Sequence, residues 1–358
     1  MFFVGLDVHQ KRSSVCILNE WGQKVKELTV IGDWDRLVEE VAQLPKPRAI
    51  CFEASTGCGV LCERLRPLAQ RIEVADPGQV RLIFRAKKKN DRVDAQKLAK
   101  LIYMDEVPKA YIPEAQVRAW RSLVECRRHL VDKRTACKNE LRSLLRGCGI
   151  QKMKIAGPCP AAPPRKGLWA RKGLAALREL ELPAVQDRLR RDWLLAQLEL
   201  LNQHVKEAEQ ELDRLALDHA GVALLQSIPG VGPRTAEAVL AYIDKPQRFE
   251  RSKQVGAYFG LVPCQDASAD KNRLGHITRQ GPPTVRKLLV EAAWQGIRHS
   301  STLKAYYQQI SQGKKERRKI ALVATAHHLV LVMQAMLRSG ELWRERPDKE
   351  NKEVAALS

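Results

Sequence analysis

Aromatic residues make up only 5% of this 358-residue sequence. So few rings argue against base stacking as the main way of holding single strands. Acidic residues are also scarce relative to basic ones: 41 Asp and Glu stand against 62 Lys and Arg, a formal net charge of +21. That imbalance calls for a polyanionic partner, most simply nucleic acid, because neutralising phosphates releases condensed counterions. A basic ribosomal or membrane-surface protein is the competing class. A disulfide framework is missing too, since the nine cysteines are odd in number and scattered. They are expected to be free thiols in a reducing, cytoplasmic compartment. Cys58 and Cys62 stand one helical turn apart, but no second Cys/His pair at ligand spacing accompanies them, so they are read as core residues rather than zinc ligands. The apolar run 320–337 is broken by His327, His328 and Gln334 and preceded by a basic shoulder at 314–319, which suits a buried helix better than a membrane span. The opening residues carry no basic leader and reach a carboxylate at Asp7, so no signal peptide is expected.

With 44% hydrophobic and 29% charged residues, the chain has the composition of a folded protein of about two domains at roughly 150 residues each. Its first part alternates strand and helix signals. Strands are expected at 2–8, 15–19, 24–30, 49–54 and 72–75, with helices at 33–44 and 59–68. Three strands, then helix, strand, helix, strand, give a mixed sheet carrying helices, an order that matches a ribonuclease-H-like layout.

From 114 to 146 the pattern turns helical. Pro158, Pro160, Pro163 and Pro164 then interrupt it, and a basic segment with Arg165, Lys166, Arg171 and Lys172 follows. Leu194, Leu198, Leu201, Val205, Ala208, Leu212 and Leu215 recur at alternating spacings of four and three, a heptad seam. It serves either a helix packed on the preceding one within the chain or an antiparallel arm or dimer zipper. The third part is mostly helical. Ser227-Ile228-Pro229-Gly230-Val231-Gly232-Pro233-Arg234 has the form of a helix-hairpin-helix turn, in which the backbone at Gly230 and Gly232 approaches a phosphate at a helix N-terminus beside Arg234. The domains expected are therefore 1–110, an α/β catalytic domain; 111–220, helical and coiled-coil, with a basic Pro-rich break at 147–172; 221–345, helical; and 346–358, a polar tail.

Four carboxylates stand out. Asp7 closes a strand of the form apolar-Gly-Leu-Asp-Val, and Glu53 closes Ile50-Cys51-Phe52; a carboxylate in such surroundings is costly unless paired or bound to a cation. Asp91 and Asp94 are spaced to share one helix face. Converging, the four would suit hard divalent cations, which prefer oxygen donors and in pairs can clamp a phosphodiester. Each acid also has a plainer reading: Asp94 as a solvated helix residue, Asp91 as a helix N-terminal acid favoured by the macrodipole. Lys87, Lys88, Lys89 and Arg92 either cradle phosphate beside that pair or form a solvated basic face.

Gly5-Leu6-Asp7, Phe52-Glu53-Ala54-Ser55-Thr56-Gly57 and Asn90-Asp91-Arg92-Val93-Asp94-Ala95 together resemble the DEDD-type transposases of bacterial insertion sequences. The later motifs are similar as well: Ser227 to Gly232, Tyr258-Phe259-Gly260-Leu261-Val262-Pro263, Gly275-His276-Ile277-Thr278-Arg279-Gln280-Gly281 and Val285-Arg286-Lys287-Leu288. The resemblance covers most of the chain in order. It implies a resolvase-like (RuvC-like) N-terminal domain of ribonuclease-H fold and a DNA recombinase that excises and inserts its element in the bacterial cytoplasm, associated with the nucleoid when active. It also implies a structured non-coding guide (bridge) RNA and a homo-oligomer, dimer or tetramer, acting on double-stranded DNA. By the same resemblance Asp7, Glu53, Asp91 and Asp94 bind magnesium (Mg2+), and a C-terminal serine attacks the phosphodiester to give a covalent protein–DNA intermediate. Ser268 is the candidate, as the only serine between Pro263 and Gly275, the loop in which the family places its nucleophile. The family often has a Ser-Gly pair there, whereas this chain has Ala267-Ser268-Ala269-Asp270. Lys271, Arg273, Arg279 and Arg286 are then candidates for phosphate contacts. Two other readings stay open: a metal-dependent junction nuclease that uses water, and a non-enzymatic nucleic-acid scaffold.

Overall fold

The computed structural model describes residues 1–84, 91–150, 167–268 and 271–345, with backbone alone for 266–268, 271 and 272. The contacts fall into two units, Met1–Arg118 and Ala119–Ser358. The basic triplet Lys87, Lys88 and Lys89, the prolines at 158–164 and the polar tail at 346–358 lie outside the described residues.

The first unit runs β1 (Phe2–Val8), β2 (Arg12–Leu18), β3 (Lys24–Ile31), α1 (Trp34–Ala42), β4 (Arg48–Glu53), α2 (Cys58–Leu65), β5 (Arg71–Ala75), α3 (Pro77–Ile83) and α4 (Asp91–Tyr103). One five-stranded sheet results, in the order β3-β2-β1-β4-β5. The first three strands pair antiparallel, as short connections allow, while β4 is parallel to both β1 and β5, which demands the helical crossovers that α1 and α2 provide. This mixed α/β arrangement is consistent with the ribonuclease-H-like order expected above.

Alternation along the strands divides the sheet into two faces. Val4, Leu6, Val15, Ile17, Ile50 and Phe52 pack on one side with Leu37 and Val41 of α1 and Leu61 and Leu65 of α2. On the other, Ala49, Cys51 and Ala75 pack with Leu98, Leu101 and Ile102 of α4, and Cys16 and Leu18 with Ala95 and Ala99. Gly5 sets how closely α4 lies on the sheet. A Cβ there would sit 2.0 Å from the Ala95 carbonyl oxygen and 2.4 Å from the Ala99 nitrogen. Arg48, 1% exposed, satisfies its guanidinium with carbonyls at the end of α1 and beyond: Nη1 donates to Val41 O and Leu44 O, Nη2 to Ala42 O, and Nε to Leu68 O. Helix C-terminal carbonyls are a favourable place for a cation.

The second unit is helical. Its elements are α5 (Ala115–Gly147, entering from the first unit), α6 (Arg171–Glu179), α7 (Val185–Leu217), α8 (Ala220–Gln226), α9 (Pro233–Ile243), α10 (Ser252–Tyr258), α11 (Pro283–His299), α12 (Ser301–Ser311) and α13 (Arg318–Ser339). The heptad seam lies on α7 and is buried against α5 of the same chain. Arg190 pairs with Glu140, the Cys137 thiol donates to Leu194 O, Arg127 pairs with Glu209, and Leu212 clusters with Trp120 and Val124. Numbers rise along one helix as they fall along the other, so the pair is antiparallel. Of the two uses expected for the seam, the intrachain one is found: Leu194, Leu198, Leu201, Val205, Ala208 and Leu212 are all buried, while Val185, Leu189, Trp193 and Leu200 of the same helix stay exposed.

Helix α13 is long and apolar enough to cross a membrane by length and composition. Ala321, Ala326, Leu329, Val330 and Met333 are nonetheless buried, and the polar residues that interrupt the run have partners or close neighbours. Gln334 Nε2 donates to Pro246 O, His328 stacks on Tyr306, and His327 lies against Gly256, where a Cβ would meet its Nε2 at 2.2 Å.

The stretch between Pro263 and Gly275, expected as a loop, is instead a two-stranded antiparallel ribbon of β6 (Pro263–Ser268) and β7 (Lys271–Ile277). The strands carry little apolar alternation, which is why the sequence pattern passed over them; Arg273, Leu274, Gly275 and His276 are all exposed.

Candidate active site

Strand register brings the first pair of acids to one place. Leu6 pairs with Phe52 in the parallel β1–β4 ladder, so Asp7 and Glu53, one residue further on, end neighbouring strands on the same face. This is the face that α4 covers. The close seat of Ala95 and Ala99 over Gly5 then brings the first turn of α4, with Asp91 and Asp94, to the strand end at Asp7. Two carboxylates in a first helical turn are favoured by the helix dipole.

Asp7 and Asp91 meet there, joined by a residue that the sequence reading missed. Ligand atoms of Asp7, His9 and Asp91 all lie within 4.8 Å of one another, and His9 Nε2 is 3.5 Å from Asp7 Oδ2. The side chain of Asp7 is 15% exposed and that of His9 57%. Burial is the largest cause raising the Asp7 carboxyl above the ordinary carboxylate range; His9 opposes it, and the charges of Asp91 and Asp94 raise it further. Donors about 2.1 Å from one cation stand about 3–4 Å from one another, so the trio has the span of a divalent-ion site. A bound cation would also relieve the repulsion among these carboxylates. Asp94 and Glu53 lie outside the trio. Asp94 Oδ1 accepts from Lys97 Nζ at 2.7 Å, and Glu53 is half-buried at its strand end. The signal for His9 was its two-residue offset from Asp7, which keeps both side chains on one side of an extended chain.

The other expected contacts are distributed as follows. Arg92 is exposed, with Nε 3.6 Å from Glu27. Gly230 has φ +89°, and its missing side chain admits the α11 backbone, since a Cβ would lie 2.4 Å from Gly296 N. Close helix packing therefore also accounts for a glycine at this position. Gly232, at the N-cap of α9, faces open space. Arg234 pairs with Asp213, bonds Glu209 O and lies 3.2 Å from Glu237. Arg286 donates to Phe259 O and Gln280 O, which makes it a brace for the Arg279–Gly281 turn rather than a free cation. Arg273 and Arg279 are exposed. Ser268 pairs with Lys271 at the end of the ribbon, and the side chains of both lie outside the described residues.

A mixed sheet whose acidic side chains meet at one strand end is thus followed along the chain by a helical unit. Comparison with known proteins gives the family. The DEDD transposase model of the IS110 group matches residues 4–150, which include Asp7, Glu53, Asp91 and Asp94. The model described as "Transposase IS116/IS110/IS902 family" matches residues 222–308, which include Ser268. The transposase for insertion sequence element IS1111A of Coxiella burnetii is 28% identical, over 95% of this chain and 91% of that protein. A probable family 20 transposase of Pseudomonas aeruginosa is 28% identical over 79% and 81%, and the transposase for IS1328 of Yersinia enterocolitica 26% over 72% and 73%. The chain belongs to the IS110/IS116/IS902 family of insertion-sequence transposases. Membership implies an enzyme that binds, cleaves and transfers DNA strands, and the DEDD type suggests use of a divalent metal.

Proposed function

We propose that this transposase cleaves and exchanges DNA through a serine-linked protein–DNA intermediate, with Asp7, Glu53, Asp91 and Asp94 holding magnesium and a structured non-coding RNA choosing the sites. The observation that carries the reading is the convergence of Asp7 and Asp91 at the end of β1. Divalent cations, when bound there, supply Lewis-acid polarisation of the phosphate oxygens. Asp7, Glu53 and Asp91 provide oxygen donors, and Lys97 fixes the rotamer of Asp94.

In the reaction the Ser268 oxygen bonds to phosphorus as it loses its proton, and the bond to one deoxyribose oxygen breaks, that oxygen leaving as a hydroxyl. A hydroxyl is a weak nucleophile at its free pKa and needs such activation. The linkage conserves the phosphoester, so the reverse attack by another DNA hydroxyl completes exchange and frees the serine. The exposed Arg92, Arg273 and Arg279, the backbone at Gly232 and the lysines at 87–89 and 271 are assigned to the phosphate backbone, and the protein acts as an oligomer in the bacterial cytoplasm.

The test incubates purified protein with magnesium, the flanking non-coding RNA and end-labelled element DNA, followed by a denaturing gel. A protein–DNA adduct that disappears in Ser268→Ala and in Asp7→Asn is expected. The replacement of the family's Ser-Gly pair by Ser268-Ala269 favours a second reading, hydrolysis by water. RNA- and magnesium-dependent cutting without an adduct, unchanged in Ser268→Ala, would establish it instead.

A further inference from the structure

The trio at the end of β1 contains a nitrogen donor that the DEDD pattern of acids does not include. We propose that His9 is a direct ligand of the cation held by Asp7 and Asp91, and that its imidazole biases this site toward manganese(II) over magnesium. The inference rests on the cation-binding reading of these acids.

Two observations and a chemical contrast support it. The ring nitrogen and the carboxylate oxygens are mutually within 4.8 Å, so one ion can reach all three. The imidazole is more than half exposed; packing does not lock it, and it can turn from Asp7 Oδ2 toward a shared ion. An arginine or lysine at this place would compete with a cation as a fixed positive charge, whereas neutral imidazole is itself a ligand. Lys97 shows the contrast, holding Asp94 through an ammonium group at 2.7 Å.

The preference follows from ligand chemistry. Magnesium is hard, dehydrates reluctantly and keeps oxygen donors and water, so it gains little from an imidazole. First-row transition ions accept nitrogen donors readily, and manganese also suits carboxylates. Two carboxylates with one imidazole should therefore discriminate between the two ions more than carboxylates alone.

Binding of manganese and of magnesium to the full-length protein, each measured by calorimetry, tests this in the wild type, His9→Ala and Asp7→Asn. His9→Ala is expected to weaken manganese binding about tenfold or more while changing magnesium binding less than about twofold. Nitrogen coupling in the spin-echo spectrum of bound manganese should be present in the wild type and lost in His9→Ala. Because His9 is exposed, the variant should keep the wild-type circular dichroism and thermal midpoint. Equal weakening for both ions, unchanged manganese affinity, or nitrogen coupling that survives in His9→Ala would overturn the proposal. Failure of the underlying reading is distinguishable: Asp7→Asn would then bind both ions as the wild type does.

Discussion

A carboxylate with no solvent exposure titrates against the fold that buries it. Glu237 on α9 is 0% exposed, and its oxygens have no well-aligned hydrogen bond, although Arg234 is 3.2 Å away. Burial pushes its carboxyl from 4.5 to about 7, with Arg234 opposing. The folded state therefore binds this proton more tightly than the unfolded one, and the linked stability, full below about pH 4.5, is lost as pH rises through about 7, a change of about 3 kcal/mol. Glu237→Gln should raise the thermal midpoint at about pH 8 and leave it nearly unchanged at about pH 5; equal shifts at both would refute the assignment. Burial disfavours the charge of Arg48 too, lowering its guanidinium from the ordinary value, but its N–H groups are met by carbonyls. Arg48→Met should cost about 2–4 kcal/mol in urea unfolding, since it orphans buried acceptors at the end of α1. At this scale the strand-end positions of Asp7 and Glu53 were legible, because a carboxylate ending an apolar strand is conspicuous. His9 was less so: its two-residue offset from Asp7 is a weak signal for a single exposed histidine just past a strand. The intrachain partners of Arg234 and Arg286, Asp213 and the Phe259 carbonyl, were not legible because they are remote from any motif.

Elements, more than residues, hold the site together, and α4 is the decisive one. It presents Asp91 only because Gly5, Ala95 and Ala99 let helix and strand backbones touch. Gly5→Ala should cost about 1–3 kcal/mol or more by overpacking and should abolish cation binding, measured together by urea unfolding and calorimetry. A stable Gly5→Ala protein with wild-type manganese affinity would show that the close seat is unnecessary. Most strands and helices of the first unit could be read from the sequence, because period-two and near-period-four apolar patterns are local signals. The β6–β7 ribbon could not, since its described side chains at 263–265 and 273–276 are exposed and mark no buried face. For the α7 seam, spacing revealed the stripe but not its partner, because one heptad pattern serves intrachain and interchain packing alike. With α5 as that partner, Leu198→Ala should cost about 2–5 kcal/mol while leaving the oligomeric state unchanged by light scattering. Dissociation of an oligomer on this change would return the seam to an interface between copies.

Across the whole molecule the excess of 62 basic over 41 acidic residues is the dominant property, and DNA is the partner that family membership implies. Affinity for element-end DNA should fall steeply with salt, about 10³-fold or more between 50 and 200 mM if several phosphates are neutralised. A nearly flat dependence, read by fluorescence anisotropy, would contradict a basic binding face. The central claim is that the acids of the first unit form a cation site. Anomalous diffraction from crystals grown with manganese tests it most directly. The account predicts a peak bounded by the carboxylates of Asp7 and Asp91, absent in Asp7→Asn crystals. Well-ordered carboxylates paired only with His9 and neighbouring basic side chains, with no peak between them at saturating manganese, would contradict it.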